Sequence, residues 1–157
     1  MLSFKAYPSG SSGAHYPCYA RNIPLQCNTV EWDDFGTFDT VNYCFVAPCA
    51  MTMEFYVNLL WANPPTNACM KALIMLNQLG TAAGAAGGEF GGVNVPVYNP
   101  GGENLSTAFS QIKQLQAGDK VWAVPCAVNG GGMNLTQAIA GNGHVTVNYF
   151  TGKQVSP

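Results

Sequence analysis

Alternating apolar and polar side chains predict β-strands along much of this chain. From residue 51 to residue 61 every second side chain is apolar, which is the pattern of a strand with one buried face. Val145, Val147 and Tyr149 alternate with polar residues and predict a strand near the end of the sequence. Short apolar stretches between turn-forming residues predict further strands at 2–6, 16–19, 23–30, 43–47 and 121–128. The pattern as a whole favours an antiparallel all-β domain.

Two segments favour helices instead by their local composition. Residues 68–79 are rich in alanine, methionine, lysine, leucine and glutamine, which are strong helix formers. In residues 104–117 apolar side chains recur at helical spacing, with Asn104 placed to cap a helix and Gly118 placed to end it. Local propensity therefore supports an alternative in which the chain is an enzyme of a different fold built on two helices.

A glycine-rich segment lies between these two stretches. Residues 80–102 contain eight glycines and four alanines around an apolar run at 93–98. Loops of this length in small domains are usually functional or disordered, so we predict a long connection that holds a short strand. Earlier in the chain, the Asp-Asp-Phe-Gly sequence at 33–36 predicts a turn, because aspartate and glycine supply the hydrogen bonds and backbone freedom that turns need.

The composition indicates that the protein associates with itself. Of the 157 residues, 48% are hydrophobic and only 9% are charged. Ordinary soluble domains have roughly a quarter of their residues charged. A monomer with so few charges would be poorly protected against association, so we expect identical subunits to cover part of the surface.

Charge and hydropathy also narrow the classes of partner. The net charge of −2 gives no reason to expect nucleic acid as a partner. No apolar run approaches the roughly 18 residues of a membrane span, so membrane insertion is not expected. The first residues do not have the pattern of a signal peptide, and we expect the chain to be part of a longer protein.

The six cysteines leave the redox state open. Cys18 and Cys27 flank one tight bend, Cys44 and Cys49 flank another, and each pair could form a disulfide. Free cysteines that pack as small hydrophobic side chains are equally plausible. No Cys-x-x-Cys pair is present, so a zinc site is not predicted.

The sequence contains no constellation that predicts catalysis. His15 and His144 are isolated from each other, and no Ser/His/Asp or Cys/His spacing marks a nucleophile. We therefore predict that the protein is not an enzyme. Two acceptor motifs for N-glycosylation, at residues 104–106 and 134–136, are short patterns that also arise by chance.

Four short motifs occur along the chain in an order that is more informative than any one of them. They are Phe-x-Ala at 4–6, a block from Thr-Phe-Asp at 37–39 to Phe-x-x-Pro at 45–48, Leu-Gln-Ala-Gly-Asp-Lys-Val-Trp at 115–122, and Tyr-Phe-Thr-Gly at 149–152. With this order and spacing the chain resembles the globular head domain of complement C1q. That family has a jelly-roll fold related to the tumour necrosis factor (TNF) fold.

The resemblance implies an antiparallel β-sandwich, a ten-stranded jelly roll that spans residues 1–157 as a single head domain. It implies strands at 68–79 and 104–117, and a homotrimer in which a neighbouring subunit covers the second apolar face of 121–128. It also implies a non-enzymatic recognition head, outside the cell or on a virion or particle surface, whose loops at 33–39, 80–102 and 129–143 bind a cell-surface protein or carbohydrate. The alternative is a structural trimerisation or capping module of such a surface, without a ligand of its own.

Two small sets of residues are candidates for the binding chemistry. Trp32 and Tyr98 are aromatic residues at loops or strand ends, where such side chains can stack on sugars or anchor an interface. Asp33, Asp34 and Asp39 form the main acidic cluster, and some members of the C1q family bind calcium, a cation that prefers oxygen ligands. A solvated turn is the competing interpretation of these aspartates.

Overall fold

Twelve β-strands form the regular secondary structure of the described part of the chain. The structure is a computed structural model, and it describes residues 1–9, 15–128, 132–135 and 148–156. The strands are β1 (Ser3–Tyr7), β2 (His15–Tyr16), β3 (Thr29–Asp33), β4 (Phe38–Asp39), β5 (Cys44–Val46), β6 (Met51–Trp61), β7 (Cys69–Leu76), β8 (Glu89–Pro96), β9 (Leu105–Leu115), β10 (Lys120–Val128), β11 (Met133–Asn134) and β12 (Tyr149–Ser156).

Ten of these strands form two five-stranded sheets that pack face to face. Sheet I has the strand order β3-β1-β12-β6-β9, and sheet II has the order β4-β5-β10-β7-β8. Neighbouring strands are antiparallel, and β2 pairs separately with β11. β8 contacts β9, so these two strands lie at the same edge of the sandwich and β3 and β4 lie at the other. The predicted antiparallel all-β sandwich is confirmed.

β6 follows the alternation of its sequence. Its side chains are alternately buried and partly exposed from the first residue to the last. Met53, Phe55 and Val57 on the buried face are completely inaccessible to solvent. The strand predicted at 51–61 is therefore confirmed with the same bounds, because one face of a central strand must pack against the other sheet.

The two segments with helical composition are strands. β7 pairs with β10 on one side and β8 on the other, and β9 pairs with β6 along its whole length. Most of β7 is buried, which explains why its sequence is nearly continuously apolar. The helices favoured by local propensity are therefore wrong and the strands implied by the resemblance are confirmed.

No helix in the described ranges is long and apolar enough to cross a membrane.

Five phenylalanine rings join the two sheets at the centre of the core. Phe4 is completely buried, and its ring centroid lies 5.2 Å from those of Phe38, Phe45 and Phe150. Phe55 lies 6.4 Å from Phe4 and 5.6 Å from Phe150. Phe4, Phe55 and Phe150 belong to sheet I and the other two belong to sheet II, so this cluster holds the sheets together.

The part of the outer face of sheet II that β10 and β7 form is covered by the chain itself. Val124 and Cys126 of β10 pack with Leu73 and Met75 of β7 in a second buried apolar cluster. Leu79, from the loop after β7, packs against this cluster. The prediction that a neighbouring subunit covers the second face of 121–128 is therefore wrong, because residues of the same chain already bury it.

The glycine-rich segment is more ordered than predicted. Residues 89–96 form β8, and the preceding loop is fixed to residue 21 by two backbone hydrogen bonds, from Gly80 N to Arg21 O and from Arg21 N to Thr81 O, each 3.0 Å long. The Arg21 guanidinium also forms an ion pair with Glu89. A Cβ atom at Gly88 would overlap the Leu76 carbonyl oxygen, so this close approach requires glycine.

The strands predicted at 2–6, 43–47 and 121–128 are confirmed as β1, β5 and β10 to within one residue at each end, whereas those predicted at 16–19 and 23–30 are largely wrong. Most of residues 16–28 lies outside any strand beyond His15–Tyr16, and β3 begins only at Thr29. This segment instead runs beside β10, where Tyr19 N donates to Ala127 O over 2.7 Å and Leu25 N donates to Ala123 O over 2.8 Å. β12 begins at Tyr149. Residues 145–147, His144 and most of the loop at 129–143 lie outside the described residues.

All six cysteines are free thiols in the structure. Cys27, Cys44 and Cys126 are buried and pack as small apolar side chains. Burial raises the pKa of Cys27 far above the ordinary value of a thiol, and burial together with the nearby Asp39 raises the pKa of Cys44 to about 11. These thiols are therefore protonated and unreactive at neutral pH.

Candidate functional site

A groove lined by aromatic and charged side chains crosses the outer face of sheet I. Because successive side chains of a strand point to opposite faces, the residues between the core positions of β1, β6 and β12 meet on this face. The larger side chains that line the groove are those of Lys5, Trp32, Glu54, Tyr56, Tyr149 and Lys153. We refer to this surface as the aromatic groove.

Two tyrosines form the centre of the aromatic groove. The rings of Tyr56 on β6 and Tyr149 on β12 lie with their centroids 5.7 Å apart and their planes inclined by 32°. Partial burial and the neighbouring Tyr56 hydroxyl raise the pKa of Tyr149 above the ordinary value of a phenol. The Tyr149 hydroxyl therefore remains protonated at neutral pH, and the two adjacent rings give the centre of the groove an aromatic surface with polar hydroxyl groups.

Both lysines of the groove are paired with carboxylates. Lys5 Nζ lies 2.7 Å from Glu31 Oε2, and Lys153 Nζ lies 2.9 Å from Glu54 Oε2. Lys5 Nζ also lies 5.4 Å from the ring centroid of Trp32 and 5.1 Å from that of Tyr149, which are distances of cation–π contacts. The groove therefore presents aromatic surface with little unbalanced charge.

The two predicted ligand-binding aromatics are not brought together. Trp32 lies on β3, is 43% exposed and lines the aromatic groove. Tyr98 follows β8 at the opposite edge of the sandwich and is 81% exposed. They cannot form one binding site within a single chain, because they lie at opposite edges.

Tyr98 stands on a loop whose backbone is held by the side chain of the next residue. Asn99 Nδ2 donates to Pro64 O over 3.0 Å and to Glu103 O over 2.8 Å. Asn99 Oδ1 accepts from Glu103 N over 2.9 Å, and Asn99 N donates to Thr66 Oγ1 over 3.1 Å. An exposed aromatic ring on a well-braced loop is suited to contact a partner, because little further ordering is needed on binding.

The acidic cluster does not converge on one point. Asp33 accepts hydrogen bonds from Phe38 N over 2.7 Å and Thr37 Oγ1 over 3.1 Å. Asp34 Oδ2 accepts from Ser3 N over 3.0 Å and Ser3 Oγ over 2.7 Å. The Asp33 carboxylate thus stabilises the turn that follows it, and the Asp34 carboxylate binds the start of β1.

The Asp39 carboxylate also accepts hydrogen bonds only from residues of its own turn, among the described residues. Asp39 Oδ1 accepts from Val41 N and Asn42 N over 2.8 and 2.9 Å, and Oδ2 accepts from Asn42 Nδ2 over 2.6 Å. Among the residues that the structure describes, no three His, Cys, Asp or Glu side chains lie close enough together to hold a metal ion. Calcium binding by Asp33, Asp34 and Asp39 stays a prediction, and it would require these carboxylates to leave their present partners.

Asp33 should make the stability of the protein depend on acid pH. Partial burial opposes ionisation, but hydrogen bonds from Phe38 and Thr37 outweigh it and lower the pKa of Asp33 below its ordinary value of 3.8. A lowered pKa in the folded state gives stability that is complete above the unfolded-state pKa and is lost as the pH falls through the folded-state pKa. We expect Asp33→Asn to unfold more easily than the original chain at pH 7, and we expect the difference to shrink as the pH falls below 3.8.

Urea unfolding at a series of pH values between about 7 and 2 measures this effect. The separation between the two stability curves should shrink steadily below the ordinary aspartate pKa. Curves that run parallel across this pH range would show that the Asp33 carboxylate is not stabilised by its hydrogen bonds.

Sequence reasoning missed the centre of the groove. Tyr56 falls on the polar side of the β6 alternation, where an aromatic ring among Thr52, Glu54 and Asn58 marks an apolar surface outside the core. Tyr149 was expected on the apolar side of its strand, whereas in the structure it lies on the outer face of sheet I. The first of these signals was available in the sequence, but the second required the register of β12 against β6.

Comparison with known proteins identifies the fold. No protein-family model matches the sequence, and no curated protein matches it significantly. Among solved structures, the globular domain of a zebrafish complement 1qA protein aligns with a TM-score of 0.66 at 15% identity, covering 99% of this chain and 98% of that chain. Eiger TNF from S. frugiperda aligns with a TM-score of 0.67 at 9% identity, covering 99% and 92% of the two chains.

A third similar structure, murine APRIL, gives a TM-score of 0.65 at 8% identity and covers 98% of both chains. In each case the alignment extends over nearly the whole of this chain. At these low identities the likeness concerns the fold and not the ligand. The chain is a jelly-roll domain with the fold of the C1q and TNF proteins.

Proposed function

We propose that residues 1–157 form the single head domain of a homotrimeric, non-enzymatic recognition protein. Three copies associate through sheet I, and exposed loops bind a cell-surface protein or carbohydrate outside the cell or on a particle surface. The observation that carries this proposal is the aromatic groove, where Tyr56 and Tyr149 form a charge-balanced aromatic surface on an otherwise exposed sheet face.

The chemistry of the groove supports association with other copies of the chain. Interfaces between subunits are enriched in aromatic residues, and their centres are depleted of unpaired charge. The groove has three aromatic rings, and the ammonium groups of Lys5 and Lys153 are balanced by Glu31 and Glu54. The low charge content of the chain, 9%, fits a protein whose surface is partly covered by its own copies.

Recognition is assigned to residues that do not line the groove. The segments proposed for it are 33–39, 80–102 with its loops on either side of β8, and 129–143, most of which lies outside the described residues. Tyr98, after β8, is 81% exposed. A trimer presents three copies of each loop, so weak single contacts combine into tight attachment through multivalency.

The solution mass tests the association. Light scattering of the original chain should give three times the chain mass of 16.6 kDa. Tyr149→Lys places a second ammonium group beside Lys5, and because like charges buried at an interface are costly, its mass should fall to that of one chain. Tyr98→Lys makes the same chemical change on the exposed loop and should leave the trimer intact. A monomeric original chain would overturn the proposal.

Surface binding separates recognition from a purely structural role. The original trimer should bind cells or an immobilised glycan array, and Tyr98→Lys should weaken this binding while the trimer persists. Circular dichroism of both variants verifies that they retain the β-sheet fold. A tight trimer that binds none of these surfaces would favour the alternative, a trimerisation or capping module of a virion or particle surface.

A further inference from the structure

We infer that Asn104 is the acceptor of an N-linked glycan. The sequence Asn104-Leu105-Ser106 is an acceptor motif, in which the asparagine amide receives the sugar and a hydroxyl residue two positions later completes the motif. The inference rests on the proposed function only for its compartment, since this modification occurs in the secretory pathway. It assigns a role to a motif that neither the fold nor the aromatic groove uses.

The fold places both required groups of this motif on the solvent side. Asn104 directly precedes β9, an edge strand of sheet I. Because side chains alternate along the extended chain, Asn104 and Ser106 are both exposed while Leu105 between them is partly buried. Ser106 pairs with Leu60 near the end of β6, beyond the groove residue Tyr56. A glycan on Asn104 would therefore extend from the end of sheet I without displacing any core residue.

The hydrogen bond of Asn104 is compatible with the modification. Its side-chain oxygen Oδ1 accepts from the backbone N–H of Asn63 over 3.1 Å. The glycan bonds to Nδ2, and the modified amide keeps its carbonyl oxygen, so this hydrogen bond survives. Among the described residues Asn104 Nδ2 donates to no acceptor, so its modification breaks no hydrogen bond within this part of the chain.

The reaction is a balanced group transfer. Asn104 Nδ2 attacks C1 of the first sugar of a lipid-linked oligosaccharide pyrophosphate, and a new N–C bond forms. The bond from C1 to the pyrophosphate oxygen breaks, the lipid pyrophosphate leaves, and Nδ2 loses one proton. No oxidant or reductant takes part.

The second acceptor motif lies in a different environment. Asn134 belongs to β11, and its Oδ1 lies 2.9 Å from His15 Nδ1. The next residue, Leu135, is buried, and Thr136 lies outside the described residues. The inference is therefore confined to Asn104, and Asn134 serves as the internal control.

The test is secretion of the full chain from cultured animal cells behind an added secretion signal, with intact mass measured before and after treatment with peptide N-glycosidase. We expect a mass decrease on treatment and conversion of residue 104 to aspartate, found by peptide mapping. Asn104→Gln and Ser106→Ala should each lose the enzyme-sensitive mass, whereas Ser106→Thr should retain it because it keeps the hydroxyl. Asn134→Gln should leave the mass decrease unchanged.

Equal masses of the secreted original chain with and without the enzyme would overturn the inference. An enzyme-sensitive mass that persists in Asn104→Gln would do the same. Light scattering of the deglycosylated protein measures the trimer independently of the glycan. A missing glycan would therefore contradict this inference, whereas a missing trimer would contradict the proposed function.

Discussion

Replacing Phe4 with alanine should lower the free energy of unfolding by about 3–5 kcal/mol, the usual cost of removing a buried aromatic ring. The Phe4 ring is completely buried and contacts phenylalanines of both sheets, Phe150 on sheet I and Phe38 and Phe45 on sheet II. Its loss would leave a cavity at the contact between the sheets. Chemical denaturation followed by circular dichroism measures the change.

The matched control for this prediction is Phe35→Ala. The Phe35 side chain is 66% exposed, so its removal should change stability by less than about 0.5 kcal/mol. If the two variants unfold at the same denaturant concentration, the phenylalanine cluster does not hold the sheets together as described.

Replacing Gly152 with alanine should lower the free energy of unfolding by about 2–3 kcal/mol through overpacking. Gly152 of β12 faces Phe4 directly across the strand pair. A Cβ atom at this position would overlap Phe4 Cε1 and would lie 3.1 Å from Phe55 Cδ1. Neither ring can retreat, because both are fully buried.

A double-mutant cycle tests the stated cause of this loss. Phe4→Leu makes room beside residue 152, so the combination of Phe4→Leu with Gly152→Ala should cost less than the sum of the two single changes. Gly101→Ala is the control, because its Cβ atom would meet only ordinary contacts with Glu103, the nearest at 3.7 Å. Strictly additive effects at positions 4 and 152 would contradict the packing argument.

The predictability of each strand depended on how its faces are covered. β6 could be predicted from sequence because one face packs on the core and the other faces outward, so its alternation is visible. β7 is largely buried, and its apolar run has no period that separates a strand from a helix. In the sequence, only the order of the motifs at 4–6, 37–48, 115–122 and 149–152 favoured a strand for this segment. In the structure, pairing with distant strands outweighs the local helix propensity.

The candidate site was less predictable than the fold, since it depends on strand register. Lys153 meets Glu54 because β12 pairs with β6 in a register that places these two residues opposite each other. The separation of Trp32 from Tyr98 follows from strand order in the two sheets. Residue spacing along the chain predicts neither the contact between Lys153 and Glu54 nor the distance between Trp32 and Tyr98. For this reason the sequence analysis missed the aromatic groove and grouped Trp32 with Tyr98.

The position of β12 in sheet I has a consequence for the order of folding. β12 lies between β1 and β6, and Leu2 N donates to the side chain of Gln154, a contact across 152 positions of sequence. β1 and β6 therefore have no common neighbour until the ribosome has released residues 149–156. Sheet I can close only after synthesis of these residues, and such long-range pairing places a domain among slow folders, with time constants of roughly milliseconds to seconds.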